Sequence, residues 1–388
     1  NGAKHFEGSY RLGKLHGYAY WWKKNGDLEM EGKSINDLQD STWIFYNDHN
    51  VVGSRGDFKS GLQTGYWEYF YENGAKWKAG HFRNGERSGI WVAWYENGVK
   101  QREGAFLFDK EDGEWKQYYP DGHLQTIGHF KAGRMNGLWK GWYENGNLKY
   151  KAYYAAGRKD GSYLYWNENG TQKTIGAYAN DLKHGNWKEF MQNGKPFEVG
   201  KYIWGKKNGK WSFYNERGNK IREQNFKNDV AEGKFTEFYA SGKKQVEGSY
   251  RNRLKDGTWS YWDRNGKLLY QVVFKNGKEI KTNKKLPENE KEAIEKALVR
   301  MVLKDDFRYS KEVALSILSD LKDNRFFKLF ADSLKHSDSY IRGTAVSGLE
   351  KLGNSEALPH LEAQLENEPD TAVQTRIKIA IGKLKKGK

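Results

Sequence analysis

The pair Asn-Gly, or a close substitute, recurs every 24 residues: Asn1-Gly2, Asn25-Gly26, His49-Asn50, Asn73-Gly74, Asn97-Gly98, Asp121-Gly122, and so on to Asn265-Gly266. The spacing does not slip over twelve copies. A fixed period of this length marks a repeat protein, in which each unit buries its face on the next. Asn-Gly between two aromatic-rich runs predicts a hairpin with a two-residue type I′ turn, because that turn needs φ > 0 at both central residues.

Positions are counted here from the first residue of each pair. Position −8 is Gly in ten of eleven complete units, with Ser41 the exception. Position −6 is aromatic in ten of eleven, usually Trp, as in Trp43, Trp67, Trp91 and Trp115. Position −3 is aromatic every time, from Trp22 to Trp262. Position +7 is usually Gly and position +9 is Phe or Tyr in eleven of twelve. A two-residue turn sets Trp67 opposite Gly80 and Gly65 opposite Phe82. Each ring then rests over a cross-strand glycine, shielding bare backbone that is otherwise a weak point in a strand. Position −3 falls on the other side from position −6. Either both faces carry rings, or a bulge turns the strand end.

The pattern G-x-W-x-x-aromatic-x-x-x-N-G, followed by G-x-F/Y, resembles the MORN family, most nearly its bacterial variant repeat. The resemblance covers roughly residues 1–280, about eleven and a half repeats. It implies an elongated antiparallel meander of β-hairpins. It is specific for fold and says little about activity, because the family is defined by residues that build the sheet.

All 16 Trp precede residue 263. Lys281–Pro287 is a polar linker, and from 288 to 388 the apolar spacing turns helical. Helices are expected over 288–304, 310–322, 324–335, 338–352, 356–366 and 371–385, with Gly353 ending one and Asn354-Ser355 capping the next. The stretch Asp338-Ser-Tyr-Ile-Arg342 through Pro359-His-Leu361 to Leu365 resembles a HEAT-type repeat. It implies stacked helix pairs that grip another protein, or a helical cap on the β array. The fold class is thus mainly β repeat followed by an all-α helical-repeat domain.

The formal net charge is +16, and residues 1–283 carry 46 basic against 33 acidic side chains. Much of that excess falls near the connections between hairpins, which a meander collects on one long edge. The chain has no cysteine, so disulfides and thiolate metal sites are excluded. No apolar run of about 18 residues is present to span a membrane. The chain starts inside a turn, and the strand that should pair with Lys4–Tyr10 is missing. Upstream residues are therefore expected to have been removed, and a cleaved leader would place the protein in the bacterial periplasm or envelope.

No active-site pattern emerges. The nine His form no close pair, and His123 and His129 sit six apart across a hairpin. There is no nucleophile motif and no phosphate-binding loop. Catalysis, cofactors and metals are not expected. The sequence instead points to a protein-binding scaffold, an accessory subunit docking on or plugging a larger envelope or secretion assembly. The variant-repeat resemblance also implies an antitoxin or immunity protein bound to a toxin. A third reading is a peripheral binder of anionic lipid or nucleic acid through the basic edge. The residues expected to meet a partner are the position −3 rings Trp22, Phe70, Trp94, Trp142, Trp166 and Trp262, and the cations Arg83, Arg134, Lys206, Lys207, Arg251 and Arg253.

Overall fold

Among the described residues each Asn-Gly closes a three-residue loop, where a two-residue turn was expected. At Glu72-Asn73-Gly74, the N–H of Gly74 donates to Tyr71 O at 2.9 Å, and that of Tyr71 to Ala75 O at 2.8 Å. Within this loop φ is positive at Gly74 alone, at 81°. This is a type I turn closed by a left-handed glycine. The Asn73 carboxamide oxygen accepts from the N–H of Ala75 at 2.9 Å, which is why Asn suits the site. The type I′ turns lie at the opposite end of each strand, between repeats. Pairs such as Asn84-Gly85 and Asn276-Gly277, and equivalents such as Ser60-Gly61, have φ > 0 at both residues.

The computed structural model describes residues 4–283, 291–304 and 308–386. These form twenty-five strands and then helices α1 (Lys291–Lys304), α2 (Arg308–Asp320), α3 (Phe327–Ser333), α4 (Ser339–Leu352), α5 (Ala357–Asn367) and α6 (Thr371–Lys386). The fold class is the expected one, an open antiparallel β-repeat meander followed by helical repeats. The expected linker lies outside the described residues from 284 onward, and residues 281–283 continue the last strand, Lys278–Asn283. The chain divides into two compact units, Asn1–Ala231 and Glu232–Lys388. The last hairpins therefore group with the helices, a boundary some fifty residues before the change of composition.

In the first unit, strands Leu62–Phe70 and Lys76–Arg83 pair with Gly65 opposite Phe82 and Trp67 opposite Gly80, as the spacing predicts. The cause differs. The three-residue loop alone would shift the register by one, and a bulge between Tyr69 and Phe70 restores it. The extra residue is Trp77, so both alternatives hold: the bulge is present, and both faces carry rings. A second bulge lies between hairpins, where register shifts between Arg55 and Asp57 opposite Gly65. There φ of Gly65 is 65°, and Ser41, the one exception at position −8, takes 61°. Left-handed backbone explains that glycine; no ring covers it.

The glycine at +7 is the ring-covered one, and the ring comes from the next repeat. A β-carbon on Gly56 would lie 2.3 Å from Trp67, and one on Gly80 2.2 Å from Trp91. Each indole N–H also donates to the carbonyl beside that bulge, Trp67 to Asp57 at 3.1 Å and Trp91 to His81 at 3.1 Å. A Trp is thus both lid and hydrogen-bond donor, a pairing Phe cannot supply. Edge-to-face contacts run from Trp67 through Phe82, Trp91, Phe106, Trp115 and Phe130 to Trp139. Full burial of one indole in this row contributes roughly 4–6 kcal/mol of transfer free energy, and a half-buried Phe less.

Both long edges are laced across repeats. The Tyr71 hydroxyl donates to Trp94 O at 2.8 Å, and Tyr95 to Tyr118 O at 2.8 Å. On the type I′ side, the Gly85 N–H donates to Gln63 O at 2.8 Å.

In the second unit one core joins strand and helix residues, including Trp259, Tyr261, Val272, Leu298, Leu315, Leu318, Phe330 and Leu349. Asp338 caps α4 by accepting from the Tyr340 N–H, and Gly353 ends it at φ 66°. The Asn354 side chain accepts from the Glu356 N–H, as the sequence suggested.

Candidate binding surfaces

Strand alternation sorts the polar side chains onto two faces. On the face opposite Trp67, Glu68 is held by Arg55 at 2.6 Å and Lys76 at 2.8 Å. Burial pushes the Glu68 carboxyl up, but these two cations outweigh it and hold it below the usual range. The position −3 rings belong here. Trp22, Phe70, Trp94, Trp142, Trp166 and Trp262 are all half-buried. Several lie under cations: Lys4 is 4.5 Å from the Trp22 ring, and Arg55 5.6 Å from Phe70. At two of the Tyr in this position the hydroxyl donates to a carboxylate, Tyr46 to Glu31 at 2.6 Å and Tyr118 to Glu103 at 2.6 Å. Burial, and then that carboxylate, push the Tyr118 phenol up to about 12.

Of the six cations expected at the edge, Arg83, Arg134, Lys206, Arg251 and Arg253 do flank or sit in type I′ turns and are exposed. Arg251 is paired with Asp256 at 3.0 Å. Lys207 is a correction. Its ammonium lies 4.0 Å from the Trp211 centroid and 2.7 Å from Glu198, on the ring face. Lys159, Lys183 and Arg87 stand at the same repeat position and also cover rings. That position shares the parity of Trp, so the side chain points to the aromatic face.

The ring face of the first unit holds a groove the sequence reading missed. Position −4 is aromatic at Trp21, Phe45, Tyr69, Tyr165 and Phe213 and acidic at Glu189, but Ala93, Gln117 and Gly141 stand there in three successive repeats. Gly141 is covered by Tyr150, leaving Ala93 and Gln117 as the gap. A cavity of about 110 Å³ is lined by Lys78, Arg87, Trp91, Ala93, Arg102, Phe106 and Trp115. A second, of about 440 Å³, shares Arg102 and Trp115 and continues to Trp139. Arg87 lies 4.0 Å from the Phe106 centroid, and Arg102 4.3 Å from Trp115. Asp109 and Glu111 hold these guanidiniums at 2.8 and 2.6 Å. Burial, with Arg87 nearby, pushes the Lys78 ammonium down. The signal for the groove was the break in the position −4 ring row.

In the second unit the same face meets helices. Tyr261, at position −4, is 4% exposed, whereas its counterparts Tyr69 and Tyr165 are half-buried. A cavity of about 330 Å³ remains there, lined by Lys255, Tyr261, Glu312, Asp320, Lys351 and Arg376 among others. Burial pushes Lys255 down to about 8, opposed by Glu312 and Glu237. Among the helices, Glu368 is buried and bound by Arg342 through two nitrogens, at 2.8 and 2.5 Å.

Among the described residues no three His, Asp or Glu converge as a metal site, and no helix is long and apolar enough to cross a membrane. The MORN repeat variant profile matches residues 111–132, 135–156, 207–228, 231–252 and 255–276, and the HEAT repeats profile matches residues 295–382. No curated protein matches the chain. MORN and HEAT repeats are generally protein- or lipid-binding scaffolds and typically non-catalytic. The chain thus carries MORN-variant repeats followed by HEAT repeats.

Proposed function

We propose that the protein is a non-catalytic scaffold that holds another protein, as an accessory subunit of a larger assembly. One observation carries this. The ring face packs against helices in the second unit, and the same face in the first unit is an open groove at Ala93 and Gln117. A surface already suited to side-chain packing supports a protein partner. A periplasmic or secretion-complex setting remains part of the proposal, and an acidic toxin bound by an immunity protein would use the same chemistry. The position −3 ring row is a second docking surface in this reading.

The electrostatic alternative, a hold on anionic lipid or nucleic acid, draws on the exposed Arg83, Arg134, Lys206 and Arg253. Affinity purification from the native cells, washed at about 0.15 M and then about 0.5 M salt, separates the two. At the higher salt the Debye length is only a few Å. A stoichiometric protein that survives the second wash supports the scaffold. Lipid or nucleic acid that leaves in it, with no protein retained, replaces the scaffold by the electrostatic reading.

A further inference from the structure

We infer that the groove at Ala93 and Gln117 is an anchor site for an acidic peptide segment of a partner, one that carries an apolar side chain beside a carboxylate. The inference rests on the scaffold reading and assigns its contact point.

Three cations, Lys78, Arg87 and Arg102, line one small cavity whose walls are Trp91, Phe106 and Trp115. No carboxylate lines it. Arg87 donates Nε to the Asp109 carboxylate and Nη2 to the Asp109 carbonyl, and Arg102 donates Nη2 to Glu111, which leaves the Nη1 N–H groups of both guanidiniums. Lys78 has no ion pair among the described residues. Its ammonium is 4.5 Å from the Tyr69 centroid and 4.3 Å from Trp77. Like charges gathered over aromatic walls fit an incoming carboxylate, because the site is partly desolvated and the charges are already in place.

The apolar half of the anchor follows from the missing ring. At Ala93 the space that Tyr69, Tyr165 and Tyr261 fill in their repeats is empty, and it adjoins the cations. An apolar side chain of the partner would occupy the place of that ring. The second unit shows what this face accepts: there Trp259 and Tyr261 share a core with Leu315 and Leu318. A phosphate-only ligand would use the cations but leave the ring space unfilled, so a peptide with both features fits better.

The repeats supply a variant that fills the groove and keeps the fold. Ala93→Tyr with Gln117→Tyr installs the residue that Tyr69 and Tyr165 already are at this position. The probe is a displayed library of random 12-residue peptides, selected on the full chain and on the filled variant. Binding of the recovered peptides is then measured by anisotropy. The expected result is enrichment of peptides with Asp or Glu next to Phe, Leu or Trp. Their affinity should fall at least tenfold on the filled variant, with its urea midpoint unchanged. Lys78→Met should weaken them at least threefold and flatten their salt dependence.

Peptides without acidic residues, or peptides that bind the filled variant equally, overturn the inference. So does failure to enrich any peptide. Peptides lost only when Phe70, Trp94 and Trp142 become Ser also overturn it, while leaving the scaffold proposal standing on the other face. Failure of the scaffold proposal itself reads out separately, as an affinity purification that retains no protein.

Discussion

The indole of Trp91 lies flat over Gly80, where any β-carbon would come within 2.2 Å of the ring, and its N–H donates to the carbonyl of His81 at 3.1 Å. The two contacts together lock one repeat to the one before it. Gly80→Ala must push the ring off that carbonyl, and is expected to cost about 2–3 kcal/mol. Trp91→Phe keeps the ring but loses the donor, for about 1–3 kcal/mol. Urea midpoints of the two variants test this; a Gly80→Ala protein as stable as the wild type would refute the interlock.

Ser41 offers the opposite change. It holds φ 61° at a bulge where ten other repeats place Gly. Ser41→Gly should relieve the left-handed strain and stabilise the first unit by about 1 kcal/mol. A lower melting temperature for this variant would count against strain at the bulge.

Arg342 and Glu368 form a buried pair between α4 and the C-cap of α5. Arg342→Met leaves a buried carboxylate without its cation and should cost about 3–5 kcal/mol, whereas Arg342→Met with Glu368→Leu should recover most of it. Burial pushes Glu368 up, but Arg342 and Gln364 prevail and hold it below the usual carboxylate range. A depressed carboxyl contributes stability above its unfolded value, near 4.3, and loses it as pH falls through the folded one. Hydrogen exchange across residues 339–352 should therefore accelerate in acid less in the double variant than in the wild type.

Lys255 titrates the other way. Its ammonium is pushed down to about 8 by burial over Trp259 and Phe274. Between about pH 8 and 10 the unfolded chain binds more protons than the folded one, so stability of the second unit rises with pH there. Lys255→Met should remove that rise. Identical pH slopes for the two proteins would show that Lys255 is not the titrating group.

Much of this fold is legible in the residues, though not always for the reason they suggest. Trp67 does face Gly80, but a three-residue loop and a compensating bulge reach that register together. Glycine under a ring is also right in kind and wrong in partner, because the covering Trp belongs to the following repeat. Gly65 looked like a ring seat and is a left-handed hinge. Helix limits followed apolar spacing closely, since caps such as Asp338 and Gly353 act locally. The site was less legible. Arg87 and Lys207 cluster in sequence with loop cations, and only strand parity puts them on the rings. Ala93 is unremarkable by itself; its meaning depends on Tyr69 and Tyr165 occupying the same place elsewhere.

The seat beneath each Trp also decides which modules can be excised. Trp occurs at position −6 where the preceding seat is Gly32, Gly56, Gly80, Gly104, Gly128, Gly176, Gly200 or Gly248, whereas Ala152 is followed by Tyr163. These are two grades of joint in one array. Removing residues 177–200 would bring Trp211 onto Gly176, a matched joint. Removing residues 153–176, a segment of the same length, would bring Trp187 onto the methyl of Ala152. The chain can therefore be shortened by whole periods at some places and not at others, although the spacing of its turns is the same throughout.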